Sequence, residues 1–274
     1  MVEKLEQNLS GVPETLLVPL WARAVEMKHS NPIVKDDKAL EIMEQINYDF
    51  GKLDEDDKNW PTQVSVVVRT GLLDKAVKVF MDKNPDGFIL NIGCGLDTRF
   101  YRLDNGSIQW YDLDLPESLQ IRKQFFEETD RYKMIPKSVF DYSWINEINV
   151  NKPVLIIIEG TLMYFTEREV EELMNKLVIS FKSAEMLIEI TTPHMVKQSK
   201  EEDIINKQYQ INATLKWGVQ NGKELEKFNN HIKFIEEWHY FDFHRDRWKV
   251  IRWLSIIPPF KKRYGNRIVH LKFI

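Results

Sequence analysis

One short segment constrains this chain more than any other: Asn91-Ile92-Gly93-Cys94-Gly95-Leu96-Asp97-Thr98-Arg99, directly after the apolar run Phe88-Ile89-Leu90-Asn91-Ile92. A Gly-x-Gly at the end of a strand is a turn where a Cβ would block close approach of the backbone to a bound nucleotide. The pattern around it is that of a parallel sheet. Short apolar runs at Phe88–Ile92, Ile108 to Leu113, Tyr132 to Ile135, Val154–Ile158 and Met186 to Thr191 read as strands. Amphipathic helical stretches lie between them, notably Pro116 to Thr129 and Thr166 to Phe181. Strands alternating with helices imply a doubly wound, parallel α/β sheet. Thr166 with Glu169 three residues on is a capping box and marks a helix start.

The flanks read differently. Residues 1–82 are mostly helical, with apolar residues spaced by three and four at Leu16, Leu17, Leu20, Ala24 and at Ala39, Ile42, Met43, Ile46. The charged stretch from Lys52 to Lys58 reads as a solvated loop, followed by a long helix from Val64 to Met81 with Arg69 in its middle. Residues 193–235 are polar and helix-like, an insertion or a lid. Residues 236–274 are rich in aromatic and β-branched residues; Trp238 to Phe243, Lys249 to Ile257 and Arg267 to Ile274 read as closing, antiparallel strands. No linker or repeat divides the chain, so the expectation is one domain over 1–274: a helical cap (1–82), a ligand-binding core (83–192), the insertion (193–235) and the closing strands.

Composition narrows the class. Of 274 residues 43% are hydrophobic and 29% charged, the balance of a globular protein. The net charge of -4 provides no general attraction to nucleic acid or to anionic lipid, so neither partner is expected. A single cysteine, Cys94, permits no internal disulfide and no cysteine-rich zinc cluster. The longest aliphatic run is far short of the roughly 20 residues of a membrane span, and a cytoplasmic location is expected. No metal is expected: His239, Asp242 and His244 do not share one strand face.

The ligand follows from spacing. Asp114 comes about 20 residues after Gly93 at the end of the next strand, where a carboxylate reaches ribose hydroxyls. The third small residue of the dinucleotide fingerprint is replaced by Thr98, which counts against NAD and favours an adenosyl ligand without a pyrophosphate, S-adenosylmethionine. Glu159 ends the strand Val154–Ile158 and points into the crevice beyond the carboxyl edge, where a cationic ligand would sit. Arg69 fits two readings, a fork for the methionine carboxylate or a structural bridge to Asp74. Asp141 fits either the adenine amino group or a surface position.

Asn91 to Leu103, Tyr111 to Pro116 and Glu159 to Phe165 together resemble the S-adenosylmethionine-dependent leucine carboxyl methyltransferase family, on the branch of bacterial tetracenomycin-type polyketide O-methyltransferases. The resemblance implies a class I methyltransferase Rossmann-like sheet, mostly parallel with an antiparallel C-terminal edge, and a helical N-terminal cap. It implies cofactor-binding roles for Arg23, Arg69, Gly93, Gly95, Asp114, Phe140, Asp141 and Glu159, with Glu159 and Tyr164 at the methionine end where catalysis occurs. It implies methyl transfer to a carboxylate or hydroxyl of a small molecule. Two other functions stay open: a methyltransferase acting on a protein's C-terminal carboxylate, and a catalytically silent nucleotide-binding scaffold. The chain departs from the family at Asn91, usually leucine, and at Cys94, often alanine.

Overall fold

The computed structural model describes residues 15–54, 59–148, 151–202 and 214–274. The part of the expected Lys52 to Lys58 loop beyond residue 54, and residues 203–213 of the expected insertion, lie outside the described residues, as does everything before residue 15.

One seven-stranded sheet organises the molecule, in the order β3-β2-β1-β4-β5-β7-β6. The strands are β1 (Phe88–Ile92), β2 (Gln109–Asp114), β3 (Tyr132–Pro136), β4 (Val154–Ile158), β5 (Glu185–Ile190), β6 (Ile232–His239) and β7 (Arg267–Phe273). Strands β1 to β5 are parallel, whereas β7 runs antiparallel between β5 and β6. The two central strands, β1 and β4, are buried at every residue, which is why both read as unbroken apolar runs. This is the expected mostly parallel sheet with an antiparallel C-terminal edge.

Helices cover both faces: α1 (Leu17–Glu26), α2 (Asp37–Gln45), α3 (Gly51–Asp54), α4 (Trp60–Lys83), α5 (Arg99–Leu103), α6 (Pro116–Arg122), α7 (Glu167–Ser180) and α8 (Pro193–Glu202). One core layer joins α1, α2 and α4 to the sheet through Leu20, Ile42, Val68, Leu73, Ile89 and Leu155. The opposite layer seats α7 through Val170, Leu173, Met174 and Leu177 against Leu90, Ile156 and Ile188. The capping box opens α7: the Thr166 N–H donates to Glu169 Oε2 at 2.6 Å and the Glu169 N–H to Thr166 Oγ1 at 3.3 Å. Pro61 starts α4, where its missing N–H costs nothing.

Three expectations need correction. The helix from Pro116 stops at Arg122 rather than Thr129, because the Arg122 side chain is drawn beneath the glycine turn and the chain then turns through Thr129, whose N–H donates to Tyr132 O, into β3. The strand expected over Trp238 to Phe243 instead begins at Ile232, inside the segment expected to be insertion, and ends at His239. The strand expected over Lys249 to Ile257 is a short helix, Ile251–Leu254; both edges of β7 are taken by β5 and β6, and this run pairs with no strand of the sheet. A further helix, Pro258–Tyr264, leads into β7.

Candidate active site

All the candidate residues except Arg23 and Arg69 lie on turns or strand ends at the carboxyl edge of β1 to β4. Gly93 and Gly95 hold φ of +68° and +49°, in the left-handed region that favours glycine. A Cβ on Gly93 would stand 2.1 Å from Thr161 Oγ1, so the turns after β1 and β4 touch only because that position has no side chain. Asp114 ends β2 and grips the turn, its Oδ2 accepting the Gly95 N–H at 2.7 Å and its Oδ1 the Leu115 N–H at 2.7 Å. Burial pushes its carboxyl up, against those two N–H groups and the nearby Arg122.

Beneath the turn sits a polar layer that no sequence pattern announces. Arg122, 0% exposed, donates to the carbonyls of Gly95 (2.8 Å) and Asp97 (2.6 Å), to Asp112 Oδ2 (2.6 Å) and to Tyr132 Oη (2.9 Å). Asp112, equally buried, also accepts from the Tyr132 hydroxyl (2.6 Å), Trp110 Nε1 (2.9 Å) and Asn91 Nδ2 (3.1 Å). Asn91 donates as well to Asp97 Oδ2 at 3.2 Å, which accounts for a polar residue in a fully buried strand. Cys94 is buried and its thiol pushed well up by that burial, a small turn residue rather than a nucleophile.

Arg69 stands on α4 and reaches the end of the sheet, where its Nε lies 2.6 Å from Glu159 Oε1 and its Nη1 2.8 Å from Glu189 Oε2. The alternative partner, Asp74, pairs instead with Arg99 and Arg102. Glu159 gives its other oxygen to Arg99 Nη2 at 2.8 Å. Burial would raise the Glu159 carboxyl, but Arg69 and Arg99 outweigh it and hold it below the usual carboxylate range. Glu159 is therefore a fixed negative charge and not a proton carrier. Glu189 accepts from the Gly160 N–H (2.8 Å) and from the Tyr240 hydroxyl (2.8 Å). Glu189 and Tyr240 were missed by sequence reasoning. A carboxylate at the end of the apolar strand Met186 to Thr191 was the available signal, the same one that picked out Glu159.

Tyr164 follows β4 on a 3₁₀ turn; burial and the neighbouring Glu189 push its hydroxyl up to about 12, so it is a neutral donor near neutral pH. Arg23 is buried and braces the turn from α1, its Nε 2.9 Å from Asp36 and its Nη2 donating to Leu96 O at 2.8 Å. Phe140 and Asp141 follow β3; Phe140 packs edge-on against Phe165, and Asp141 is exposed, its Oδ1 accepting from the Ser143 N–H and hydroxyl. Of the tryptophans, Trp217 and Trp248 belong to the core and Trp253 is exposed. His239 pairs with Glu237 and Asp242 with Lys261, on separate partners.

A twisted parallel sheet with an antiparallel seventh strand, a Gly-x-Gly turn after β1, a carboxylate ending β2 and an acidic cluster after β4 defines an S-adenosylmethionine-dependent methyltransferase of class I. The residues suit that cofactor: two glycines at positive φ form the turn after β1, Asp114 ends β2 beside it, and Glu159 and Glu189 stand at the same sheet edge, ion-paired with Arg69 and Arg99. The leucine carboxyl methyltransferase family model matches residues 17–178, and the chain belongs to that family. It is 29% identical over 273 residues to the tetracenomycin polyketide synthesis O-methyltransferase of Streptomyces glaucescens, covering 97% of this chain and 98% of that one. It is 28% identical over 253 residues to an S-adenosyl-L-methionine-dependent methyltransferase of Gibberella zeae, covering 86% and 84%. In fold it is similar to a DUF574 family protein of Streptomyces avermitilis (TM-score 0.61, 12% identity, 94% and 97% covered). Magnesium protoporphyrin IX methyltransferase of Synechocystis is similar too (TM-score 0.50, 12% identity, 87% and 94% covered).

Proposed function

We propose that this enzyme transfers the methyl group of S-adenosylmethionine to an oxygen, carboxylate or hydroxyl, of a small organic molecule. The observation that carries the reading is the juxtaposition, at one sheet edge, of the glycine turn with Asp114 and of the Arg69–Glu159–Glu189 cluster. The name of the Streptomyces glaucescens relative, an O-methyltransferase of polyketide synthesis, supports oxygen as the acceptor atom.

The cofactor supplies a methyl group on a positively charged sulfur. The chain's residues bind it and align the acceptor. Gly93 and Gly95 let the backbone approach the adenosine, and Asp114 accepts hydrogen bonds from ribose hydroxyls through the lone pairs that Gly95 and Leu115 leave free. Phe140 lies beside the adenine and Asp141 at its amino edge. Arg69, whose Nε and Nη1 lie against Glu159 and Glu189, binds the methionine carboxylate. These two carboxylates stabilise the ammonium and sulfonium charges. Tyr164, neutral at physiological pH, donates toward the same space. Arg23 is a positioning residue that acts through Leu96 O.

Displacement at a sulfonium needs alignment and exclusion of water more than covalent chemistry. A carboxylate acceptor, with a pKa of about 4, arrives ionised and needs no base. Water exclusion falls to the residues after β4 and β5, where Lys216 and Trp217 bond to Met163 O and Val219 to Thr191 O. The lone buried cysteine suits a reducing compartment such as the cytoplasm.

Calorimetric titration with S-adenosylmethionine and S-adenosylhomocysteine, with NAD and ATP as controls, tests the cofactor. Mass spectrometry of products from a panel of aromatic acids, phenols, amines and a peptide with a free C-terminal carboxylate tests the acceptor. Methyl esters or ethers of small molecules are expected; methylamines, or esters of the peptide alone, would overturn the proposal.

A further inference from the structure

The run expected to be a strand is the most apolar exposed surface described. Val250 (64% exposed), Trp253 (62%), Leu254 (39%), Ile256 (56%) and Ile257 (50%) project from eight consecutive residues around the short helix Ile251–Leu254. Isolated exposed apolar side chains are ordinary, but a contiguous group of this size marks a contact surface. Its rim is basic. Arg252, Lys262 and Arg263 are exposed, and the Arg252 guanidinium lies 4.9 Å from the centre of the Trp253 ring. Beyond Asp246 the sequence contains no aspartate or glutamate at all. The chain's net charge of -4 thus hides a strongly positive end.

We infer that this face docks onto an anionic phospholipid surface, with Trp253, Ile256 and Ile257 entering the headgroup boundary and Arg252, Lys262 and Arg263 meeting lipid phosphates. Aliphatic side chains and an indole inside a ring of basic residues are the composition of interfacial binding. The surface argues against other occupants. In a two-fold dimer both faces would carry the same basic rim, so a second copy would bring like charges together around the apolar centre. A nucleic acid would use the basic groups and the indole but leave Ile256 and Ile257 without a role. No helix among the described residues is long and apolar enough to cross a membrane.

The face adjoins the active-site edge of the sheet. Thr192, just past β5, donates to Arg263 O at 2.5 Å, and Thr191 donates to Asn266 Oδ1 at 2.9 Å. The inference stands on exposure and charge alone and does not depend on the chemistry of the site.

Vesicle flotation tests it, comparing phosphatidylcholine with phosphatidylcholine mixed with phosphatidylglycerol. The intact protein should float with the anionic vesicles at low salt and be released at high salt. Trp253→Ser with Ile257→Ser should weaken binding about tenfold or more, from the apolar area lost. Arg252→Glu with Lys262→Glu should abolish it. All four side chains are exposed, so thermal unfolding and S-adenosylmethionine affinity should not change, which separates lost docking from lost folding. Failure of the intact protein to float would overturn the inference, as would flotation indifferent to both variants. Self-association in sedimentation that Trp253→Ser abolishes would also overturn it, assigning the face to a second copy.

Discussion

The ion pair between Arg122 and Asp112 lends itself to a quantitative test, because both side chains are 0% exposed and Arg122 also holds the carbonyls of the glycine turn. In Arg122→Met, Asp112 keeps the Tyr132 hydroxyl, Trp110 Nε1 and Asn91 Nδ2 as neutral donors but loses the one cation it contacts among the described residues. An uncompensated buried charge costs about 3–5 kcal/mol. The carbonyls of Gly95 and Asp97 lose their donor in the same variant. Native domains are held by only about 5–15 kcal/mol, so the loss should be large in urea unfolding followed by tryptophan emission. Asp112→Asn keeps an acceptor at that place while removing the charge. On its own it strands the guanidinium; combined with Arg122→Met it removes both charges. The double variant should therefore be more stable than the sum of the single losses by about 2–3 kcal/mol, a coupling expected of groups in one network. If the two losses add to within about 0.5 kcal/mol, the pair is not acting as a pair and the reasoning fails.

Other consequences are quicker to check. Gly93→Ala places a methyl group against Thr161 Oγ1 at a positive φ and should reduce S-adenosylmethionine affinity at least tenfold by calorimetry; adding Thr161→Ala removes the clash but not the backbone strain, so recovery should be partial. Glu159→Gln should weaken binding of the cationic cofactor more than of S-adenosylhomocysteine, which lacks the sulfonium, and equal losses would place Glu159 away from the sulfur. Burial would raise the carboxyl of Glu237, but hydrogen bonds from His239 and the Gly222 N–H and the charge of Arg267 hold it at about 2. Since its folded value lies below its ordinary value, its contribution is fully present above about pH 4.5 and is lost as pH falls toward 2. Acid unfolding of Glu237→Gln should accordingly be flatter than that of the parent across this window.

The catalytic half of the sheet was legible because its signals are local. A buried parallel strand must be apolar at every position, and β4 was found residue for residue from Val154 to Ile158. The Thr166 capping box fixed the start of α7 for the same reason, being contained in a single turn. The C-terminal quarter was misread because aromatic and β-branched residues favour strands only where a neighbouring strand can pair with them. Lys249 to Ile257 has that composition but pairs with no strand, and its middle is the short helix Ile251–Leu254. The glycines and Asp114 could be picked out by spacing along the chain. The identity of Arg69's partners could not, since Glu189 lies 120 residues away in sequence and is brought to it only by the closing of the fold. Asn91, a departure from the family, became intelligible only with Asp97 and Asp112 both beside it.

The position of β7 dictates when the molecule can be finished. Strand β6 touches the rest of the sheet only through β7, which pairs on one side with Glu185 to Ile190 and on the other with Ile232 to His239. As the chain emerges from the ribosome, β1 to β5 can associate in order, but β6 must wait with its partner edge unmade until residues 267–273 have been synthesised. Glu237 then gains Arg267 in the same event. Nascent chains arrested before Arg267 should therefore present an open β5 edge to chaperones and to other copies, and the native sheet should close in a single late step after translation has passed the last strand.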